Sequence, residues 1–397
     1  MFNMKAMGMR ADHGALNEDQ LELRKVTAAL ARERYGPKAA DWDAARTTFP
    51  KEERRFLGEQ GLLGIALPEE YGGSGSPLLT ALVAIEEFAK VCRPAAFQLF
   101  EANTGPARVL SLIGSEEQRQ RFLPSIVRGD ATMAIGISEP EAGSAATDMK
   151  TRAKRSNGSY VLNGMKRWIS NGGEADYYLV YARMSDDLGS KGIGALIVEA
   201  DRAGVTFGKS ERLMGFRGIP SADVIFDDVE VPAENLLVGP GGFRQLFTMF
   251  SIERLGNATM SLAIGQAALD YTIAYVQERT QFGKQLIEFQ SIQTTLADMV
   301  LQVSAARELI YRAARTAGTG LPDPLEVSLA KCTANEMAKR VTDLAMQLHG
   351  GNGYTEEYGI ERLHRDSHGW AVAGGTPQMQ RIRIVSELLG RNFDQRR

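Results

Sequence analysis

The chain has 397 residues, 44% of them hydrophobic and 24% charged, and its 46 Lys+Arg against 49 Asp+Glu leave a net charge of −3. That length suits two or three packed units, while the balanced charge provides no global positive field for nucleic acid or anionic lipid. No stretch approaches the roughly 18 uninterrupted apolar residues of a membrane helix, and two distant cysteines, Cys92 and Cys332, support no disulfide framework and suit a reducing, cytoplasmic setting.

Residues 1–17 read as a loose tail without the apolar run of a secretory signal. Over 18–130 the pattern is helical and broken by turns. Asp19–Tyr35 and Pro77–Val91 are helical stretches, Glu69 to Gly75 is a loop, and Ser115 with Glu116 and Glu117 makes the cap and acidic first turn of a helix reaching about Val127. From 131 to 238 the period changes. Lys150–Arg155 and Ser159–Trp168 flank Asn157-Gly158, a dipeptide suited to a tight hairpin, and Tyr177–Ala182, Ile193–Glu199 and Asp223–Val231 are further β-rich runs. A small antiparallel barrel or sandwich is expected there, closed by Gly239-Pro240-Gly241-Gly242. The last segment, 239–397, is helical again. Phe289, Ile292, Leu296, Met299, Val303, Ala306 and Ile310 recur 3 or 4 apart, as do Ala330, Ala334, Met337, Val341, Leu344 and Leu348. One apolar seam per helix predicts a four-helix-type bundle with other faces open to subunit contacts. The predicted class is α+β multidomain, ordered helical, β, helical.

Several chemical signals are absent. Gly136-Ile137-Ser138-Glu139-Pro140 lacks the second glycine of a hydrolase elbow, and there is no Walker loop or strand–GxGxxG–helix unit. His13, His349, His364 and His368 have no metal-binding spacing, so no metal is expected.

Three segments combine glycines, hydroxyls and aromatics in a way that a bland helical and β protein does not need. The first runs from Ala134 through Ser138 to Gly143-Ser144 and continues at Trp168-Ile169-Ser170-Asn171. The second is Glu278 to Lys284 with Phe289-Gln290. The third is Gln347 to Tyr354, then Arg365-Asp366 and Gly374-Gly375-Thr376-Pro377-Gln378. In order and spacing, from about residue 18 to 390, the sequence resembles the acyl-CoA dehydrogenase family of flavoproteins.

The resemblance implies FAD in a crevice between the β domain and the C-terminal bundle of a homodimer or homotetramer. Ser138 and Ser170 match the family's donors beside flavin N5, and Trp168 its aromatic wall against the flavin ring. Gly143 and Ser144 match the loop approaching the flavin and the pantetheine arm. Arg279, Phe282 and Gln290 correspond to contacts on the pyrophosphate and adenine side, where a cation suits the ligand. Gln347, Gly350 and Gly351 fall in the loop that meets FAD from a neighbouring subunit, and Thr376 and Gln378 match the remaining flavin contacts. Arg254 holds the substrate position. Phe97 and Glu101 lie one turn apart on the helix of the pocket floor, so a short, branched or cyclic acyl group with a polar end is one reading and plain core or surface another.

Dehydrogenation of a thioester needs a carboxylate to take the α-proton. Many relatives carry it immediately before the Gly-Thr of the last motif, where this chain has Gly374. Phe250-Ser251-Ile252-Glu253-Arg254 supplies another, at the start of the long helix after the glycine turn. This resembles isovaleryl-CoA and long-chain acyl-CoA dehydrogenases, and it makes Glu253 the expected base, with burial raising its pKa. Gly374 and Gly375 then bring close backbone to the thioester. A helix-capping or ion-pairing role is the plain alternative for Glu253. Ala145 and Ser251 stand where the family pattern has Asp, which leaves a carrier-protein thioester beside acyl-CoA as the substrate. The expected activity is α,β-dehydrogenation to a trans-2-enoyl thioester, with an electron-transfer flavoprotein as partner. A same-fold oxidase and a non-catalytic flavin-binding protein are the alternatives.

Overall fold

A computed structural model describes residues 16–393 of the protein. Most of the tail expected over 1–17, and His13 with it, lies outside them. Packing divides the chain differently from sequence order. One unit draws on the described parts of Met1–Ala40, Pro77–Ala96 and Asn257–Arg397, the other on Asp41–Ser76 and Phe97–Gly256. The helices before residue 131 are therefore shared between the two.

In the helical unit, Glu18–Leu30 starts from a capping box at Asn17 and Gln20 and packs on Leu78–Val91. Gln290–Ala317 packs on Pro324–His349, which in turn packs on Ile360–Val372 and Pro377–Leu389. The first expected seam is buried from Leu296 to Ile310. The second departs from expectation near its end. Leu344 and Leu348 are only half-buried, because the inward stripe continues through Thr342, Ala345 and His349. The reason is the His349 ring, which stacks on Tyr275 with centroids 4.3 Å apart, its Nδ1 2.8 Å from the Ala345 carbonyl. His349 is a core histidine.

A charged core group fastens this unit as well. Arg307 donates to Glu86 at 2.8 Å, and the Tyr311 hydroxyl donates to the other Glu86 oxygen at 2.8 Å. Burial pushes the Glu86 carboxyl up, but Arg307, Lys90 and the hydrogen bonds outweigh it and hold it at about 2.

The sheet unit carries eight strands: β1 Met133–Gly136, β2 Arg152–Ser156, β3 Ser159–Ser170, β4 Tyr177–Arg183, β5 Ile193–Glu199, β6 Val205–Phe207, β7 Ser221–Pro232 and β8 Leu236–Val238. Their order is β6-β7-β3-β2-β4-β5-β8, with β1 beside β4. The hairpin at Asn157-Gly158 forms as expected, with both residues at positive φ. The sheet is mostly antiparallel, but β1 and β2 run parallel to β4. Short strands on either side of the glycine-rich segment 136–144 make those two pairings without a hairpin, and the sequence carries no signal for them. Leu162, Tyr178, Val180, Leu196, Val198 and Val229 form the apolar core.

Candidate functional site

In the sheet unit, the Ser138 turn is fastened by a buried lysine. Lys166 is inaccessible to water and donates to Glu139 at 2.7 Å and to the Ile137 carbonyl at 3.1 Å. Glu139 also accepts from the backbone N–H groups of Lys150 and Thr151, and the Ser138 carbonyl accepts from the Arg167 N–H at 2.8 Å. Burial lowers the Lys166 pKa and Glu139 partly restores it, to about 8. The backbone on both sides of Ser138 is thus set. Gly143 and Ser144 follow in an exposed segment, and a Cβ on Gly143 would meet nothing within 4 Å.

Trp168 is not a core aromatic. Between Lys166 and Ile169 the β3–β7 register slips by one residue, since three steps on β3 match two on β7. A bulge of this kind turns a side chain off its regular face. Trp168 takes φ +61° and is 52% exposed, with the Arg167 guanidinium 4.4 Å from its ring centroid. Arg167 is itself held by Asp223 at 2.8 Å and Glu211 at 3.0 Å. Ser170 ends β3 opposite Ser221, and Asn171 follows at φ +56°.

Asn171 donates to the Glu101 carboxylate. Glu101 is buried, which pushes its pKa well up, against the lowering influence of Asn171, Arg54 and Thr132. Its carboxylate is therefore turned to the Asn171 turn and Arg54, and it lines a small cavity with Arg54, Gln98 and Thr132. Phe97 is buried and stacks on Phe100 with centroids 5.4 Å apart.

The long helix runs over Phe243–Glu278. Glu253 therefore lies about three turns inside it and not at its start, so a capping role is excluded. The side chain is buried at 9% exposure. Arg254 lies over Phe247 and Phe250, 4.4 Å and 5.1 Å from their centroids. The Tyr181 hydroxyl feels both neighbours. Burial raises its pKa, Arg254 lowers it and Glu253 raises it.

In the helical unit, Thr280–Gln281 and Lys284–Gln285 form a hairpin with Phe282 and Gly283 at φ +52° and +80°. Positive φ at both turn positions is the two-residue hairpin geometry, and it leaves Phe282 93% exposed at the tip. Arg279 and Gln290 are exposed on either side of it. Gln347 is exposed in the last turn of its helix, and Gly350 and Gly351 follow with nothing within 4 Å of a Cβ.

The Gly374-Gly375 turn is fastened from below. Both glycines have positive φ, +67° and +91°. The buried Lys331 ammonium donates to the carbonyls of Ala373 and Gly375 and to Asn335 Oδ1, each at 2.9 Å. Gln380 Nε2 reaches the Gly375 carbonyl at 3.0 Å, and Asn257 reaches the Trp370 and Ala373 carbonyls at 3.1 and 3.4 Å. Thr376 caps the following helix by accepting from the Met379 N–H, and Gln378 is exposed.

Sequence reasoning missed Lys166, Glu139, Arg167, Lys331 and Tyr181. Two of them had a readable signal. Lys166 shares the strand parity of the buried Tyr160 and Leu162, and Lys331 lies between Ala330 and Cys332, four residues before the buried Asn335. A lysine at an inward position needs an acceptor.

Each unit by itself carries features that suit part of a large planar-ring dinucleotide: in the sheet unit an aromatic turned outward on a bulge and an open glycine at 143, and in the helical unit an exposed Arg279 beside an exposed aromatic tip and open glycines at 350 and 351. Among the described residues no group of His, Cys, Asp or Glu could hold a metal ion, and no helix is long and apolar enough to cross a membrane.

Comparison with known proteins agrees over nearly the whole chain. Models of the acyl-CoA dehydrogenase N-terminal, middle and C-terminal domains match residues 17–130, 134–229 and 240–389. A probable acyl-CoA dehydrogenase of Mycobacterium leprae is 40% identical over 94% of this chain and 96% of its own. The structure of butyryl-CoA dehydrogenase from Megasphaera elsdenii superposes with a TM-score of 0.91 at 36% identity, covering 94% of this chain and 99% of that one. A glutaryl-CoA dehydrogenase of Mycobacterium smegmatis in complex with FADH2 has a TM-score of 0.90 at 27% identity, covering 96% and 97%.

Proposed function

Since this chain belongs to the acyl-CoA dehydrogenase family and is an FAD-dependent oxidoreductase of acyl-CoA thioesters, we propose that Glu253 is its base, taking the α-proton. The observation that carries this is a carboxylate buried three turns inside a helix, in a chain with Gly374 at the other base position. FAD, when bound, supplies the acceptor for the β-hydride. The roles of the chain's own residues follow from their placement. Ser138 and Ser170 hold backbone and hydroxyl donors on fixed turns. Trp168 offers a flat face, with Arg167 beneath it. Arg279, Phe282 and Gln290 would take the pyrophosphate and adenine end, with Thr376 and Gln378 as further contacts. Gln347, Gly350 and Gly351 serve the cofactor of a second copy in a dimer or tetramer.

For the substrate, Arg254 and Ser144 lie toward the CoA side and Phe97 walls the acyl group. The backbone of the Gly374-Gly375 turn, which ends at the Thr376 N–H, donates to the thioester carbonyl, which acidifies the α-proton. Glu253 works as a base by accepting the α-proton on its carboxylate as the β-hydride leaves. An electron-transfer flavoprotein is the electron acceptor.

Anaerobic mixing of the yellow holoenzyme with straight, branched and dicarboxylic acyl-CoA thioesters should bleach the flavin with at least one of them. Glu253→Gln should keep its FAD absorbance and lose turnover by about 10³-fold. Wild-type turnover in that variant would remove Glu253 from the mechanism. Absence of bleaching with every thioester would favour a non-catalytic flavin protein, and peroxide formation in air without added acceptor would make it an oxidase.

A further inference from the structure

We propose that Lys331 is the positioning residue that aims the thioester-binding backbone at Gly374 and Thr376. The inference rests on the reading of the Gly374-Gly375 turn as the carbonyl's donor site. An ammonium has three N–H bonds, and here all three have acceptors at 2.9 Å: Asn335 Oδ1 and the carbonyls of Ala373 and Gly375. Lys331 is fully buried, so these bonds are made without competition from water.

The two carbonyls belong to alternate peptide planes, one on each side of the Gly374–Gly375 peptide. A trans peptide is planar, with its N–H opposite its C=O. Drawing the oxygens of Ala373 and Gly375 to one point below the turn therefore directs the N–H groups of Gly374 and Thr376 to the other side. Such a backbone path is open to glycine and strained for other residues, which agrees with φ of +67° and +91°. The lysine is in turn oriented. Asn335 Nδ2 donates to Asn257 Oδ1 at 3.0 Å and to Ser261 Oγ at 2.8 Å, which leaves its Oδ1 facing the ammonium. A single side chain thus sets two donors at once, where one amide from Gln380 reaches only the Gly375 carbonyl.

The test reads the substrate carbonyl directly. The Glu253→Gln holoenzyme is mixed with the acyl-CoA of the bleaching panel that binds it most tightly, carrying ¹³C at the thioester carbonyl. Difference infrared spectra should show that band moved to lower frequency by hydrogen bonding. Adding Lys331→Met should abolish most of the movement with the FAD content unchanged. In the otherwise native enzyme Lys331→Met should lower kcat by about 10–100-fold with KM within about threefold, as for a misplaced transition-state donor. Lys331→Gln, which reaches at most one carbonyl, serves if the Met variant does not fold, and should leave a partial band shift. An unchanged band in either folded variant, or a raised KM at native kcat, overturns the proposal. If the Glu253→Gln parent itself shows no carbonyl shift, the underlying reading of the turn fails instead.

Discussion

Two turns of this molecule are each fastened by a fully buried lysine, and they are fastened differently. In the sheet unit Lys166 faces a carboxylate, and that carboxylate also collects the N–H groups of Lys150 and Thr151. The Ser138 turn is therefore tied to a buried ion pair. In the helical unit Lys331 holds three neutral oxygens, two of them the backbone of the turn itself. The difference separates stability from aim. Loss of one partner from a buried ion pair strands a charge in a place without water, whereas loss of the Lys331 tripod releases peptide planes that glycine is free to rotate.

The comparison can be broken most forcefully at Lys166. Lys166→Met should cost about 3–5 kcal/mol in denaturant unfolding, because Glu139 stays buried without its cation. It should also lose FAD on gel filtration. If the variant is as stable as the native protein, the ion pair is not what holds the Ser138 turn. Glu139→Gln is gentler. An amide oxygen still accepts while the charge goes, so about 1–3 kcal/mol is expected.

The acid limb sharpens the same point. Burial pushes the Glu139 carboxyl up, but Lys166 and the backbone donors outweigh it and leave its pKa below 4.5. Its contribution is then present above the unfolded value and is lost as pH falls through the folded one. Glu139→Gln should therefore flatten the loss of stability below about pH 4.5. An unchanged slope there would assign the acid sensitivity to other groups, Glu86 first among them.

The smallest effect is expected at the other turn. Gly375→Ala places a Cβ 3.0 Å from Gln380 Nε2 at φ +91°, which should cost about 1–2 kcal/mol and lower kcat without release of FAD. A variant with native stability and native kcat would mean that the turn tolerates other paths and that its aim is not critical.

Much of this was readable before any coordinates. The cap and acidic first turn at Ser115, the Asn157-Gly158 hairpin and the Leu296 to Ile310 seam are local patterns, and local geometry decides them. The Ser138, Trp168 and Gly374 motifs were readable by resemblance. What was not readable is how each motif is held. The bulge that turns Trp168 outward depends on where β7 pairs with β3. The bond between Asn171 and Glu101 was not readable because the two lie 70 residues apart.

From the amino-acid sequence alone came the family, the order of helical and β segments, the cofactor and the proposal that Glu253 serves as the base where position 374 has only Gly. Those are properties of residue type and spacing along one dimension. Only the tertiary structure decided that Glu253 is buried three turns into its helix, that Trp168 is presented and not packed, and that two lysines lie beneath the two turns. Each of these depends on which distant groups exclude water from a side chain and which acceptors remain for it, and burial of that kind exists only once the chain has closed on itself.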